Sequence, residues 1–158
     1  MTAPVCRQCS ADVALKRLGR LEGEDGGVRI VIDGIPALDC ANGHKRFPTP
    51  GFPLEFIERV MKTGELVTAE PAVEKGLFRK RSHCPSCGGQ LPDSTDGASR
   101  NETRVEYPET GQVTVELAVP VYRCGGCRQE VTLPSSTVQR GVMQAMANAF
   151  RSADITPG

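Results

Sequence analysis

Apolar and polar residues alternating with a two-residue period mark half-buried strands. The plainest case is Val28-Arg29-Ile30-Val31-Ile32, which is also rich in β-branched side chains. Residues 13–21 mix apolar and basic positions and predict a first strand, and the glycine-rich polar run 22–27 predicts a turn. Residues 35–38 carry the strand on toward Cys40, with Asp33-Gly34 read as a bulge. In the second half, 104–107 and 113–122 predict a hairpin around Pro108-Glu109-Thr110-Gly111, and 130–133 a short closing strand. The polar stretch 92–101 predicts a mobile loop.

The period changes to that of a helix in two places. After Pro53, Leu54, Ile57, Val60 and Met61 recur at helical spacing until Gly64. From Ser135-Ser136, either of which can cap, Val138, Val142, Met146 and Phe150 step by four, with Ala145 and Ala149 beside them. Such stripes ordinarily pack into a core; of the two, the last helix, through Val142 and Met146, is the first choice for a docking face. A further short helix is expected over 71–78, and a frayed tail over 152–158.

The strand patterns also repeat. Residues 28–40 read VRIVIDGIPALDC and 113–124 read VTVELAVPVYRC, and they align if one residue near Asp33-Gly34 is extra. Pro36 stands four residues before Cys40, as Pro120 does before Cys124. The chain thus reads as two copies of a ribbon followed by a helix.

Composition limits what these elements can bury. The chain has 158 residues, 4% aromatic content and no Trp, so small units of this kind call for staples. Its formal net charge is zero, which removes the simplest argument for nucleic-acid binding. Lys75, Arg79, Lys80 and Arg81 form the densest basic patch, ordinarily a solvated linker face and otherwise a contact for phosphate or an acidic partner. No apolar run is long enough to span a bilayer, and residues 1–5 lack a charged-then-apolar export pattern. The expected location is the reducing cytoplasm, where paired cysteines are more often metal ligands than disulfides.

The staples are legible. Cys84-Pro-Ser-Cys87 and Cys124-Gly-Gly-Cys127 are two short hooks able to set four thiolates around one ion. Cys6-Arg-Gln-Cys9 and Cys40-Ala-Asn-Gly-His44 offer three sulfurs and an imidazole. Seven cysteines and His44 make two tetrahedral sets with none left over, and such sets suit Zn²⁺, two per chain. His83 lies beside Cys84 but is not needed to complete a set. The predicted fold is therefore small α+β and metal-stabilised, with two tandem zinc-ribbon units built on antiparallel hairpins, each followed by a helix. The expected organisation is ribbon 1 over 1–50, helix and basic linker over 51–82, ribbon 2 over 83–134, and a C-terminal helix and tail over 135–158.

On the Cys6/Cys9 hook and the run Val28 through Leu38 into Cys40, residues 5–48 resemble the YgiT-type zinc finger, the N-terminal zinc domain of MqsA-like antitoxins. The second half matches only in outline. The family's second hook is usually Cys-x₂-Cys; here Gly43 stands in place of the second cysteine, His44 follows, and a different turn is required. Members continue into a helix-turn-helix DNA-binding domain, whereas this chain continues into a second ribbon. The resemblance implies a structural zinc module that presents a surface to a protein.

Sites with four protein ligands leave no open position for substrate, and no catalytic carboxylate pair, serine triad or phosphate-cradling glycine loop appears. The expectation is a non-enzymatic, zinc-responsive binding module for a protein or ribonucleoprotein, such as a transcription assembly, with no small-molecule substrate and no membrane partner. The alternatives are direct nucleic-acid binding through the basic linker with Arg123 and Arg128, and a thiol redox switch.

Overall fold

The computed structural model describes residues 4–107 and 111–156. Strands β1 (Val13–Arg17), β2 (Leu21–Asp25), β3 (Val28–Asp33) and β4 (Pro36–Cys40) form one long bent hairpin. Asp25 lies opposite Val28, so the turn is only Gly26-Gly27, both with positive φ (55° and 84°), the backbone of a two-residue hairpin turn. The polar residues 22–25, read as part of the turn, are instead strand. Their side chains face solvent at Glu22 and Glu24 while the backbone completes the ladder with β3.

Halfway along, the Gly34 N–H donates to the Leu18 carbonyl and the Leu18 N–H donates to that of Ile35. Two residues thus face one, with Gly34 at φ 92°, which is a bulge of the glycine type. The bend divides residues 13–25 into two strands rather than one over 13–21. It sends β1 and β4 into a different sheet from β2 and β3.

After β5 (Lys45–Arg46) comes α1 (Phe52–Lys62), with Pro53 in its first turn. Its inner face is Phe52, Phe56, Ile57 and Val60; Leu54 points outward, because the aromatic pair starts the buried stripe two residues earlier than the aliphatic spacing suggests. Residues 70–83 hold no helix. They form β6 (Glu70–Pro71), β7 (Val73–Lys75) and β8 (Arg81–His83), the last two a hairpin. β9 (Ala98–Tyr107) and β10 (Gly111–Arg123) make the second long hairpin; its predicted turn at Pro108–Thr110 lies outside the described residues. β9 thus takes in the end of the expected 92–101 loop.

β11 (Glu130–Thr132) leads to α2 (Ser135–Ser152), whose N-cap position is Pro134 with no side-chain cap, in place of the serines. The expected frayed tail instead contributes β12 (Ile155–Thr156), parallel to β5, with Ile155 buried; residues 157–158 lie outside the described residues.

The result is a small α+β architecture of largely antiparallel sheets, with parallel pairs at β6–β11 and β5–β12, and two helices. β3 pairs with β10, Ile30 opposite Leu117, so strands from the two halves share one sheet. α2 lies across β2 and β3, close enough that a Cβ on Gly23 would sit 1.9 Å from the Ala145 carbonyl oxygen. The main core joins Ile30, Ile32, Val115 and Leu117 to Phe56 of α1 and Ala145 of α2. A second, smaller cluster holds Ala72, Cys84, Leu91, Cys124 and Val131.

Candidate metal centres

All seven cysteines are free thiols, and with His44 they gather into two groups: Cys6, Cys9, Cys40 and His44 (site 1), and Cys84, Cys87, Cys124 and Cys127 (site 2). Within each, the ligand atoms lie within 4.8 Å of one another. In site 2, Cys84 Sγ is 3.6 Å from Cys127 Sγ, and Cys87 Sγ is 3.5 Å from Cys124 Sγ. In site 1, Cys9 Sγ is 3.8 Å from Cys40 Sγ, while His44 Nδ1 is 3.4 Å from Cys6 Sγ and 3.5 Å from Cys40 Sγ. Sulfur ligands at ~2.3 Å from a tetrahedral ion stand ~3.8 Å apart, and a sulfur and a nitrogen ligand ~3.5 Å apart. The donor sets therefore fit a tetrahedral metal ion, with Nδ1 as the nitrogen donor of His44.

Three of the four hooks close with the same backbone bonds. The N–H of Cys6, Cys84 and Cys124 donates to the carbonyl five residues on, and the carbonyl of each accepts from the N–H four residues on. The residue that closes each loop, Ser10, Gly88 or Arg128, has φ between 60° and 74°. The histidine hook is tighter: Cys40 donates to His44 and accepts from Gly43, which has φ 82°. This is the different turn that the Gly43-His44 arrangement required. The turn comes one residue early, and the longer imidazole reaches back to the sulfurs.

Donors aimed at the sulfurs favour the charged thiolate. The Asn42 amide donates to Cys9 Sγ at 3.2 Å and, with the Ala11 backbone, holds the Cys9 thiol down at about 6. Backbone N–H groups of Cys127 and Gly126 hold Cys124 at about 6, and that of Cys87 lowers Cys84. Burial raises Cys40. The thiolates of Cys9 and Cys6 raise His44 above its ordinary value. Asn42 has a role that sequence reasoning missed; the signal was an amide inside the only hook spaced for histidine. Ser86 donates to Gln129 and so ties the two hooks of site 2 together.

The four basic residues singled out by sequence come together. Lys75 and Arg81 face each other across β7 and β8, and Arg79 and Lys80 lie in the loop between these strands. That loop also carries two residues missed for want of periodicity, Leu77 and Phe78, which are 95% and 100% exposed. Val142 and Met146, by contrast, are 1% and 5% exposed on the inner face of α2. That stripe is core packing against β2 and β3 rather than open surface, and the exposed apolar residue of the helix is Met143. His83 donates through Nδ1 to the Arg81 carbonyl and stays outside the ligand set.

The fold and its two clusters define a small α+β protein of zinc-ribbon-like character. Comparison of the chain with protein-family models, curated proteins and solved structures finds no match. Among the described residues, no helix is long and apolar enough to cross a membrane.

Proposed function

We propose that this is a non-enzymatic cytoplasmic binding module. Two zinc ions staple two copies of one ribbon unit, the first of YgiT type, and the β7–β8 hairpin docks on an acidic protein surface such as that of a transcription or ribonucleoprotein assembly. The observation that carries the reading is the hairpin tip. A fully exposed Leu77-Phe78 pair stands among four cations. Lys75 and Arg81 sit directly opposite each other, a like-charge pairing that costs stability until an anion relieves it. Among the described residues, the ion pair these four cations make is that of Lys80 with Glu74, at 3.9 Å.

An isolated two-stranded hairpin is marginal in water, and this one is rooted in site 2. β8 runs directly into Cys84, and the Leu91 N–H donates to the Ser82 carbonyl. Metal binding at site 2 therefore orders the contact element, which makes docking respond to zinc supply. With four protein ligands at each site, the metals have no open position for chemistry.

The test uses immobilised, zinc-loaded full chain against nuclease-treated lysate, with retained proteins identified by mass spectrometry. An acidic protein should be retained by the wild type and lost by both Leu77→Ser/Phe78→Ser and Arg79→Glu/Lys80→Glu. Equal retention by all three removes the hairpin from the account. A second reading draws on Phe78 standing among cations, as a base-stacking side chain does. It requires binding to generic RNA that weakens steeply with salt.

A further inference from the structure

β9 is bonded to β10 along one edge, from Ala98 opposite Pro120 to Tyr107 opposite Gly111. Among the described residues, no backbone hydrogen bond reaches its other edge. Ten residues of open edge are a template for another strand unless something discourages pairing. Charge on an edge usually does so; here its order selects one partner instead.

The solvent-facing residues of β9 are Arg100, Glu102, Arg104 and Glu106, all exposed and alternating in sign. Thr103 and Val105, on the other face, are buried against the core. A second copy adding its own β9 antiparallel, with both cores on the same side of the joined sheet, must oppose outward residues to outward residues. Three central registers meet that condition. Centring on Glu102 sets Arg100 against Arg104 and Glu102 against itself. Centring on Arg104 sets Glu102 against Glu106 and Arg104 against itself. Centring on Thr103 sets Arg100 against Glu106 and Glu102 against Arg104, each twice, giving four opposite-charge pairs.

We propose that the chain forms a twofold dimer by antiparallel pairing of β9 with β9 of a second copy about Thr103, so that the two central sheets become one. Among the described residues, the ion pair these four make in the single chain is that of Arg104 Nε with Glu102 Oε1 beside it, at 3.5 Å with both side chains half exposed, and Arg100 and Glu106 have none. All four are open to the cross-strand partners that this register supplies. On the inner face the same register sets Thr103, whose hydroxyl donates to the Glu65 carboxylate, against its twofold copy. The inference is independent of the metals and of the hairpin.

The test is sedimentation equilibrium of zinc-loaded full chain over a dilution series, with far-UV circular dichroism as the folding control. The wild type should give twice the 16.9 kDa chain mass. Glu102→Arg/Glu106→Arg puts arginine at all four outward positions and should weaken the dimer by about tenfold or more, with unchanged circular dichroism. Glu102→Arg/Arg104→Glu exchanges the central charges, keeps every pair across the axis opposite, and should dimerise like the wild type. A monomeric wild type at its highest soluble concentration overturns the proposal. So does a dimer indifferent to the four-arginine variant, which would lie on another surface.

Discussion

Site 1 is tied to the main core by Phe47, just beyond His44, whereas site 2 joins that core through β10, which carries Val113 and Val119 and runs into Cys124, and sets the Cys84–Cys87 hook on a small cluster of its own. Cys40 ends a strand continuous with the bent hairpin. His44 precedes β5, which β12 clamps, and Phe47 just beyond packs its ring against Phe52 and Phe150. Site 2 has Ala72, Leu91 and Val131 around Cys84 and Cys124, while Cys87 and Cys127 lie exposed. At site 1, a metal ion would reinforce a structure that burial already holds. At site 2, a metal ion would hold the Cys84–Cys87 hook, which has only the small cluster around Leu91 and Val131 beneath it.

The sharpest way to break this comparison is to remove one ligand from each site. Cys124→Ser should lose one metal equivalent and several kcal/mol of local stability. In two-dimensional NMR, amide signals of β7, β8 and β11 should collapse while those of β3 persist. Cys40→Ser should leave its neighbourhood better ordered, because β12 and Phe47 still hold it. Global collapse in the first variant would mean that the site is not local.

Gly23→Ala strikes what the sites share. The added methyl meets the α2 backbone and should cost about 3 kcal/mol. Calorimetric melts should show the main core destabilised with both metals still bound.

A smaller effect separates the sites by pH in chelator-treated protein. Cys9 and Cys124 titrate at about 6 in the fold, against an ordinary value of 9.0. Their contribution to stability is complete above pH 9 and is lost as pH falls through 6. His44, raised by its thiolate neighbours, works the other way: its contribution is complete below 6.5 and is lost as pH rises through its raised value. Thermal stability should therefore climb from pH 6 to pH 9, and a profile flat over that range would refute the low thiol values.

The smallest effect lies in the loops themselves. Ser10 and Arg128 hold a left-handed backbone that Gly88 holds without strain. Ser10→Gly should strengthen site 1 and Arg128→Gly site 2, each by up to about 1 kcal/mol, read as slower zinc transfer to a chromophoric chelator.

The ligand sets, the bulge at Gly34 and the last helix were legible in the sequence because each signal is local: hook spacing, a glycine in a β-branched run, a four-residue step. What escaped depends on distant partners. Nothing local shows that β3 will pair with β10. Residues 98–101 looked like loop because Ser99 and Asn101, on the covered face, are polar; Asn101 is satisfied there by the Leu66 carbonyl and the Thr68 hydroxyl. Ile155 reads as tail until β5 is in place to receive it. Residues 71–78 hold strand rather than helix because β7 pairs with β8, which runs into Cys84, and no periodicity of their own shows that pairing.

The central claim is that eight side chains hold two metal ions, and elemental analysis of freshly purified, unsupplemented protein tests it most directly. Two zinc equivalents per chain are expected, falling to one in Cys124→Ser. Less than one equivalent in the wild type would contradict the account.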